Sequence, residues 1–382
     1  MLVCSLWYAP ARAFGGTVTV AVATVKGALA AGHEVTVVTT DVLDLHSRAP
    51  ADTPAEPAGA RVLRFPNVSQ RLAAANLPQP RGLRKWLSQH VREFDVVLVL
   101  DVYSSVSVLG ARAAASAGVP YVLEALGTLP ATRERGRALP KRAFLALWGR
   151  RTVREAAACL YLSEIERDEY LAAGAEPGRL HPMPPPLDLP DPGEVPRAEA
   201  PTVVYLGQLH AIKRIDVLID AFAQVRRAMP AARLEVIGAP SSHGKALQEQ
   251  AMRLGLGDSV GFRGLIPEAE KGRALATAHV LALLSASEGL PVTPLEALAC
   301  GTPVVLSPGC GLPQVDGVAG IVCDGTAAGA AEALLTLLRD PARAQALGEA
   351  GRTLAAGYRR EKVVPELVAL LERVATSSSN AA

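Results

Sequence analysis

The stretch Ser285-Ala-Ser-Glu-Gly-Leu-Pro-Val-Thr-Pro-Leu-Glu-Ala-Leu-Ala-Cys-Gly-Thr-Pro-Val-Val305 decides how the second half of this chain can fold. An apolar run, Val280 to Leu284, precedes it, and a second, Val304 to Leu306, overlaps its end; each predicts a buried strand. One short helix fits between them. This order of strand, loop, helix and strand is typical of a parallel α/β sheet.

The helix inside this stretch has start and stop residues that can be read directly. Thr293 is a suitable N-cap, Pro294 suits the first helical position, and Glu296 follows the cap by three residues, as in a capping box. Gly301 and then Pro303 end the helix. The sequence therefore predicts a helix N-terminus that faces the carboxyl end of the preceding strand.

That edge of an open α/β sheet is where ligands bind, and a helix N-terminus favours an anion such as a diphosphate. Glu288 lies in the loop before the helix, and Glu296 lies on the helix. Glu296 as a capping residue alone remains an alternative, and so does Glu288 as a solvated loop acid. Glu288 is the more informative of the two, because it precedes a glycine and has no cap to complete.

Composition limits the class of protein. With 382 residues the chain is long enough for two domains, and 49% hydrophobic residues provide a large core. The net charge of +2 does not favour a nucleic-acid binder, and five scattered cysteines without a CxxC pair suggest neither a zinc site nor a disulfide framework. A reducing cytoplasm fits this cysteine usage. The sequence contains no run of eighteen apolar residues, so it predicts no membrane span. The N-terminus lacks a basic region, and it predicts a first strand and not a signal peptide.

The first half begins with a second α/β pattern. Leu2 to Leu6 predicts a strand, Gly15 and Gly16 lie in the following loop, a helix runs from about Thr17 to Ala31, and Glu34 to Thr39 predicts the next strand. The dinucleotide fingerprint G-x-G-x-x-G is absent. The sequence therefore predicts a βαβ start to a Rossmann-like domain, and the missing fingerprint disfavours a dehydrogenase.

A basic segment follows later in this half. Arg133 to Arg154 holds eight basic residues and one acid, with Phe144, Leu145, Leu147 and Trp148 among them. A solvated helix with a core-facing apolar stripe is one interpretation, and docking on an anionic membrane or a lipid-diphosphate acceptor is the other.

A proline-rich segment divides the chain. Pro182 to Pro201 contains eight prolines, which predicts a linker, here placed at residues 186–200. The predicted domains are then residues 1–185 and 201–358, with a last helix at about 359–376. Thr202 to Leu206 predicts the first strand of the second domain, followed by the loop Gly207-Gln-Leu-His-Ala-Ile-Lys213.

Ser287 to Val305 resembles the signature of family-four retaining glycosyltransferases, which have the GT-B fold of two Rossmann-like domains facing a cleft. In that family the first Glu faces the donor sugar, the amides after it hold the sugar and diphosphate, and the second Glu takes the ribose hydroxyls. The resemblance thus implies catalytic roles for Glu288 and Lys213 and a return of the last helix to the first, acceptor-binding domain. It implies a donor site made of Gly15, Gly16, Gln208, Lys213, Gly238, Leu265, Glu288, Gly289, Leu290, Val292, Thr293 and Glu296.

This chain also departs from the family pattern. Pro291 stands where the family usually has Gly, Gln208 replaces an Arg, Arg214 replaces a Gly, and Leu126 stands where a His commonly precedes Gly127. Proline removes one amide donor, and Gln208 removes one cation near the diphosphate. Near the missing histidine, the remaining candidates on the acceptor side are Glu124, Gly127 and Thr128.

The resemblance implies transfer of a sugar from a nucleoside diphosphate sugar, such as a UDP- or GDP-sugar, to an acceptor hydroxyl with retention of configuration. The acceptor is expected in polysaccharide or lipid-linked glycan synthesis, in the cytoplasm or at the inner face of the membrane. The absence of Asp-x-Asp gives no support to a metal-bridged diphosphate, and we expect no metal or other cofactor. A sugar-nucleotide hydrolase or epimerase, and a non-catalytic sugar-nucleotide-binding protein, remain the alternatives.

Overall fold

The structure is a computed structural model that describes residues 1–44, 46–50, 52–74, 78–129, 143–288 and 292–379. The chain divides into two compact units, Met1–Asp188 with Arg359–Ala382, and Leu189–Tyr358. The first division lies inside the proline-rich segment. Each unit is described by itself.

The first unit contains a seven-stranded parallel sheet in the order β3-β2-β1-β4-β5-β6-β7. Its strands are β1 (Leu2–Ser5), β2 (Thr36–Thr40), β3 (Arg61–Phe65), β4 (Val97–Leu100), β5 (Tyr121–Glu124), β6 (Ala158–Tyr161) and β7 (Leu180–Pro182). The helices of this unit are α1 (Gly16–Ala30), α2 (Gln70–Ala74), α3 (Leu83–His90), α4 (Ser105–Ala117), α5 (Arg150–Arg154), α6 (Glu164–Ala173) and the C-terminal α13 (Arg360–Ser379), with a π-helix at Leu145–Gly149.

The second unit contains a six-stranded parallel sheet in the order β10-β9-β8-β11-β12-β13. Its strands are β8 (Thr202–Leu206), β9 (Arg233–Ile237), β10 (Val260–Gly264), β11 (Val280–Leu283), β12 (Val304–Leu306) and β13 (Gly320–Val322). The helices here are α7 (Ile215–Ala228), α8 (Ser242–Arg253), α9 (Glu268–Thr277), α10 (Val292–Ala299), α11 (Ala327–Arg339) and α12 (Pro341–Ala356).

The central strands are apolar throughout because helices cover both faces of each sheet. All four residues of β4 and all four of β11 are buried, which explains their unbroken runs of Val, Leu and Ala. On the first unit, α13 packs against α1 so closely that a Cβ on Gly27 would collide with the side chain of Val364. The C-terminal helix is thus part of the first unit.

The strand orders place one switch point in each sheet, between β1 and β4 in the first unit and between β8 and β11 in the second. Connections leave neighbouring strands in opposite directions at such a point, so the loops after the two strands enclose a crevice. In the second unit these loops are residues 207–214 and 284–288. They are the loops that carry Lys213 and Glu288.

One detail of the predicted helix is wrong. The described part of helix α10 is Val292–Ala299, so Thr293 lies within the helix and is not its N-cap. The N-terminal end of α10 therefore lies close along the chain to the Glu288 loop, and the amides of a helix's first turn are the ones that have no acceptor within the helix.

Candidate donor site in the second unit

Lys213 and Glu288 meet at the switch point of the second sheet. The Lys213 ammonium donates to both carboxylate oxygens of Glu288, at 2.6 Å to Oε1 and 2.8 Å to Oε2. The side chains are only 20% and 9% exposed, respectively. A partly buried pair of this kind is weakly screened by solvent, so each charge depends strongly on the other.

Backbone contacts hold the two loops against each other. Ala286 N donates to Ile212 O at 2.8 Å, which joins the Glu288 loop to the Lys213 loop directly. Glu288 N donates to Gly309 O at 2.8 Å, and the Ser285 hydroxyl donates to the Glu288 carboxylate. Glu288 is therefore fixed through both its backbone and its side chain before any ligand arrives.

Gly309 is a site residue that the sequence analysis missed. A Cβ at this position would collide with the carbonyl oxygens of Ser285 and Ala286, so only glycine allows the close backbone approach seen here. The signal available in the sequence was only a glycine after Pro308, which by itself marks an ordinary turn.

Glu296 faces a cation from another helix. The Lys271 ammonium on α9 donates to Glu296 at 2.7 Å and also pairs with Glu268 at 2.8 Å. Glu296 is 5% exposed and the Lys271 side chain 19%. Burial by itself would lower the pKa of Lys271, but the carboxylates of Glu296 and Glu268 hold that pKa above its ordinary value. Lys271 was not a predicted site residue, because nothing in its local sequence shows that it faces α10.

We expect Lys271→Met to lower the free energy of unfolding of the second unit by about 3 kcal/mol, because it leaves the Glu296 carboxylate buried without its cation. The double variant Lys271→Met/Glu296→Gln should recover part of that loss, since Gln carries no charge. Denaturant unfolding monitored for the second unit is the measurement.

The exposed Lys245→Met on α8 is the matched control for this measurement, and it should leave the unfolding curve in place. If Lys271→Met unfolds like Lys245→Met, the ion pair with Glu296 does not contribute to stability.

Glu296→Gln alone should weaken nucleotide binding if this carboxylate accepts the ribose hydroxyls, and unchanged affinity would contradict that role.

The loop before α7 has the backbone form that the usual glycine would allow. Arg214, which replaces that Gly, has φ 51° and ψ 43°, in the left-handed region. Lys213 precedes it at the end of a short 3-10 turn, Ala211–Lys213. Arg214 thus adopts a backbone conformation that glycine adopts easily, and Lys213 lies two residues before the first residue of α7.

The other predicted donor residues of this unit lie along the same carboxyl edge. Gln208 is exposed, and its backbone carbonyl oxygen accepts a hydrogen bond from the Tyr205 hydroxyl at 2.8 Å. Gly238 directly follows β9, and a Cβ there would collide with Gly207 O. Leu265 follows β10 with 75% of its surface exposed. Gly289 and Leu290, with Pro291, lie outside the residues that the structure describes.

The remaining predicted residues belong to the first unit. Gly15 has φ 72° and precedes α1, and Gly16 is the first residue of that helix. After β5, Leu126 has φ 53° and is 2% exposed, and Gly127 has φ 73°. The Thr128 hydroxyl lies 3.0 Å from Asp101 Oδ1 and 2.6 Å from Ala125 O. The Glu124 carboxyl is buried, at 1% exposure.

Within the described ranges, no three His, Cys, Asp or Glu side chains come together in a group that could hold a metal ion. Among the helices of the described part of the chain, none has the length and apolar character needed to cross a membrane.

Comparison with known proteins assigns the family. A model of a glycosyl transferase 4-like domain matches residues 15–186, and the model of glycosyl transferases group 1 matches residues 192–354. D-inositol 3-phosphate glycosyltransferase 1 of Catenulispora acidiphila is 32% identical over 292 residues, which cover 69% of this chain and 68% of that protein. The chain belongs to the group 1 glycosyltransferases, family four.

Other members of this glycosyltransferase family align over less of their length. D-inositol 3-phosphate glycosyltransferase of Segniliparus rotundus is 33% identical over 217 residues, which cover 53% of this chain and 48% of that protein. The chain therefore spans about half the length of that relative. Among solved structures, HepE of Anabaena in complex with UDP and glucose superposes with a TM-score of 0.76 at 20% identity, over 97% of this chain and 99% of that one. This likeness shows that the two parallel-sheet units have the GT-B fold.

Proposed function

We propose that this protein transfers a sugar from a nucleoside diphosphate sugar to an acceptor hydroxyl, with retention of configuration. The observation that carries the proposal is the contact between Lys213 and Glu288 at the switch point of the second sheet, beside the start of α10. It brings a cation, a carboxylate and helix N-terminal amides to one edge. The cation suits a diphosphate, and the carboxylate suits the hydroxyls of a sugar. The helix N-terminal amides suit the negative charge that develops on the leaving group.

A bound donor would have to rearrange the ion pair between Lys213 and Glu288. Without a ligand, Glu288 holds the ammonium of Lys213 with both oxygens. The diphosphate oxygens of a donor would compete for that ammonium, and the Glu288 carboxylate would then be available to accept hydrogen bonds from sugar hydroxyls. Lys213 and the first turn of α10 would stabilise the negative charge that grows on the diphosphate as the sugar leaves.

The nucleoside part of the donor is assigned to the Glu296 region. A carboxylate is an acceptor only, and the two hydroxyls of a ribose are suitable donors. Burial raises the pKa of Glu296, and the ammonium of Lys271 opposes that rise while it holds the carboxylate in place as an acceptor. We assign no metal to the donor site, and the residue roles above need none.

The test is a panel of UDP- and GDP-sugars, first by thermal stabilisation and then by transfer to acceptors. The acceptors should include a phosphorylated inositol, as named for the two relatives, together with glycans and lipid-linked sugars. Stabilisation of about 2.7 kcal/mol at a hundredfold excess over Kd is expected for a simple site. Product NMR should show the anomeric configuration of the donor. Turnover of the donor without any acceptor would favour a hydrolase or epimerase, and binding without turnover a non-catalytic protein.

We further propose that the described end of the basic segment, residues 143–154, docks on an anionic membrane. Leu147 is 65% exposed and Trp148 39%, and Trp148 packs beside Phe144 with ring centroids 5.3 Å apart. Arg150 and Arg151 follow on the surface. Exposed apolar side chains next to arginines favour docking over a solvated helix with a core-facing stripe. Residues 133–142 of the predicted segment lie outside the described residues.

Co-sedimentation with vesicles tests this docking. The variant Arg150→Gln/Arg151→Gln should bind vesicles rich in anionic lipid about 30-fold more weakly, at about 1 kcal/mol for each basic residue near the surface. Leu147→Ser should weaken binding as well, whereas Met252→Ser, which alters a 75% exposed residue of the second unit, should not. Binding that is equal on neutral vesicles, or absent, would favour the solvated-helix interpretation.

A further inference from the structure

The carboxyl group of Glu124 is an unusual feature of the first unit. Glu124 ends β5 and is 1% exposed, and neither of its carboxyl oxygens has a hydrogen-bond partner among the residues that the structure describes. Its neighbours across the sheet are Leu100 on β4 and Leu160 on β6. An ionised carboxylate in such a place is costly, so the group keeps its proton. Burial, and then the nearby charge of Glu166, raise the pKa of Glu124 to about 8.

Glu166, on α6, differs from Glu124 because both of its carboxyl oxygens accept hydrogen bonds. Its Oε1 accepts a hydrogen bond from Gly127 N at 2.6 Å, and its Oε2 accepts one from Leu162 N at 2.7 Å. Two short amide bonds to the two oxygens favour the ionised form. Glu166 therefore joins the loop after β5 to the loop after β6, and it is 2% exposed.

The loop after β5, residues 125–128, is held mainly by such side-chain contacts. Ala125 N donates to the Tyr170 hydroxyl on α6 at 2.9 Å, and Gly127 N donates to Glu166. On the other side, the Thr128 hydroxyl donates to Asp101, whose backbone has φ 75°. The position of this loop thus depends on α6 and on the turn after β4.

Among the residues that the structure describes, the charges that act on Glu124 come from one helix. Among the described residues, Glu166 and Tyr170, both on α6, are the titratable groups whose charge interacts with Glu124. The sheet-facing residues of α4 are Val, Ala, Gly and Ser, and those of α13 that are buried are Val and Leu. Ionisation of Glu124 would therefore add a negative charge that the charge of Glu166 repels.

We propose that Glu166 is a positioning residue for the loop at residues 125–128, and that loss of the Glu124 proton beside it loosens this loop at alkaline pH. The proposal rests on the proposed function in one respect, because Glu124, Gly127 and Thr128 are the candidates for the acceptor side. Repulsion between the two carboxylates, or entry of water to solvate Glu124, would weaken the bonds from Glu166 to Gly127 and Leu162. The donor residues of the second unit are not involved.

An NMR titration of backbone amides tests the positioning without any substrate. In the wild type, the Gly127 and Leu162 amide signals should move together between pH 7 and pH 9, with a midpoint near 8. Glu124→Gln, which is neutral at every pH, should abolish that transition, and Glu124→Met provides a second neutral variant if the amide is poorly accommodated. A transition that persists in both variants would overturn the role of Glu124.

Glu166→Gln removes one of the two acceptor oxygens and should shift the Gly127 or Leu162 amide signal already at pH 7. The matched control is Glu164→Gln, two residues earlier on the same helix, where Glu164 is exposed and pairs only with Arg167 at 3.2 Å among the bonds described. Amide signals that are the same in Glu166→Gln and Glu164→Gln would overturn the positioning role.

Kinetics then separate this role from a general loss of stability. The acceptor KM of the wild type should rise about tenfold for each pH unit above 8, while the Kd for nucleoside diphosphate stays constant. Glu124→Gln should keep a flat acceptor KM. If no acceptor is turned over at all, the proposed function fails, but the amide titration still decides whether Glu124 and Glu166 control the loop.

Discussion

Glu288→Gln should lower turnover by ~10²–10³, the loss expected when one preorganised polar contact to a transition state is removed. The affinity for nucleoside diphosphate should stay the same or increase. In the wild type the diphosphate has to compete with Glu288 for Lys213, whose ammonium lies 2.6 Å from Oε1 and 2.8 Å from Oε2. A neutral amide holds that ammonium less strongly, so the cation is more available to the phosphates.

This combination of a lower kcat and an undiminished affinity distinguishes a catalytic role from a structural one. Steady-state kinetics and calorimetric titration with nucleoside diphosphate measure the two quantities. Glu249→Gln, an exposed acid on α8, is the control and should change neither. Wild-type turnover in Glu288→Gln would exclude a catalytic role, and a parallel loss of turnover, affinity and thermal stability would show that the residue only supports the fold.

Lys213→Met should weaken nucleoside diphosphate binding by about 10- to 100-fold, since a charge-assisted hydrogen bond contributes about 1.5–3 kcal/mol. The loss should be smaller for the nucleoside, which has no phosphates. Lys213→Met also leaves Glu288 buried without its cation, and this would lower stability. The double variant Lys213→Met/Glu288→Gln removes that second effect and should show the phosphate contribution alone.

The control for this prediction is Lys245→Met, and the converse test is Gln208→Arg. Adding an arginine, which the family pattern implies at this loop, should tighten diphosphate binding. The rival explanation is that Arg214 or Arg263 already supplies the second cation. In that case Gln208→Arg would have no effect, and Arg214→Ala or Arg263→Ala would cost as much as Lys213→Met. Unchanged diphosphate affinity in Lys213→Met would show that this loop is not the phosphate site.

The loops that carry the site were predictable from local sequence. Apolar runs of four or five residues that alternate with helical stripes predict buried parallel strands, and the carboxyl ends of such strands are where ligands bind. Lys213 and Glu288 each follow one of these runs within a short loop. Their meeting follows from the strand order, because β8 and β11 are neighbours at the switch point.

Helix boundaries were less well determined. The pattern around Thr293 fits an N-cap and a capping box, yet Thr293 lies within α10 and Glu296 accepts a hydrogen bond from Lys271. A capping bond contributes about 1 kcal/mol to stability. A buried carboxylate that is left without its cation costs about 3–5 kcal/mol, which is more. The prediction failed where a contact between two helices competed with a local rule.

The sequence by itself determined the alternation of strands and helices, the division at the proline-rich segment, and the positions of Lys213, Glu288 and Glu296. All of these depend on periodicity, on special backbone residues or on spacing within a single loop. The tertiary structure alone decided the partners: Lys271 for Glu296, Gly309 beneath the Glu288 loop, and Glu166 for the amides of Gly127 and Leu162. Lys271 and Glu296 are 25 residues apart, and Glu166 and Gly127 are 39 apart. Side chains at such separations are brought together by the packing of helices on a sheet, and no local pattern of residues encodes which of them will touch.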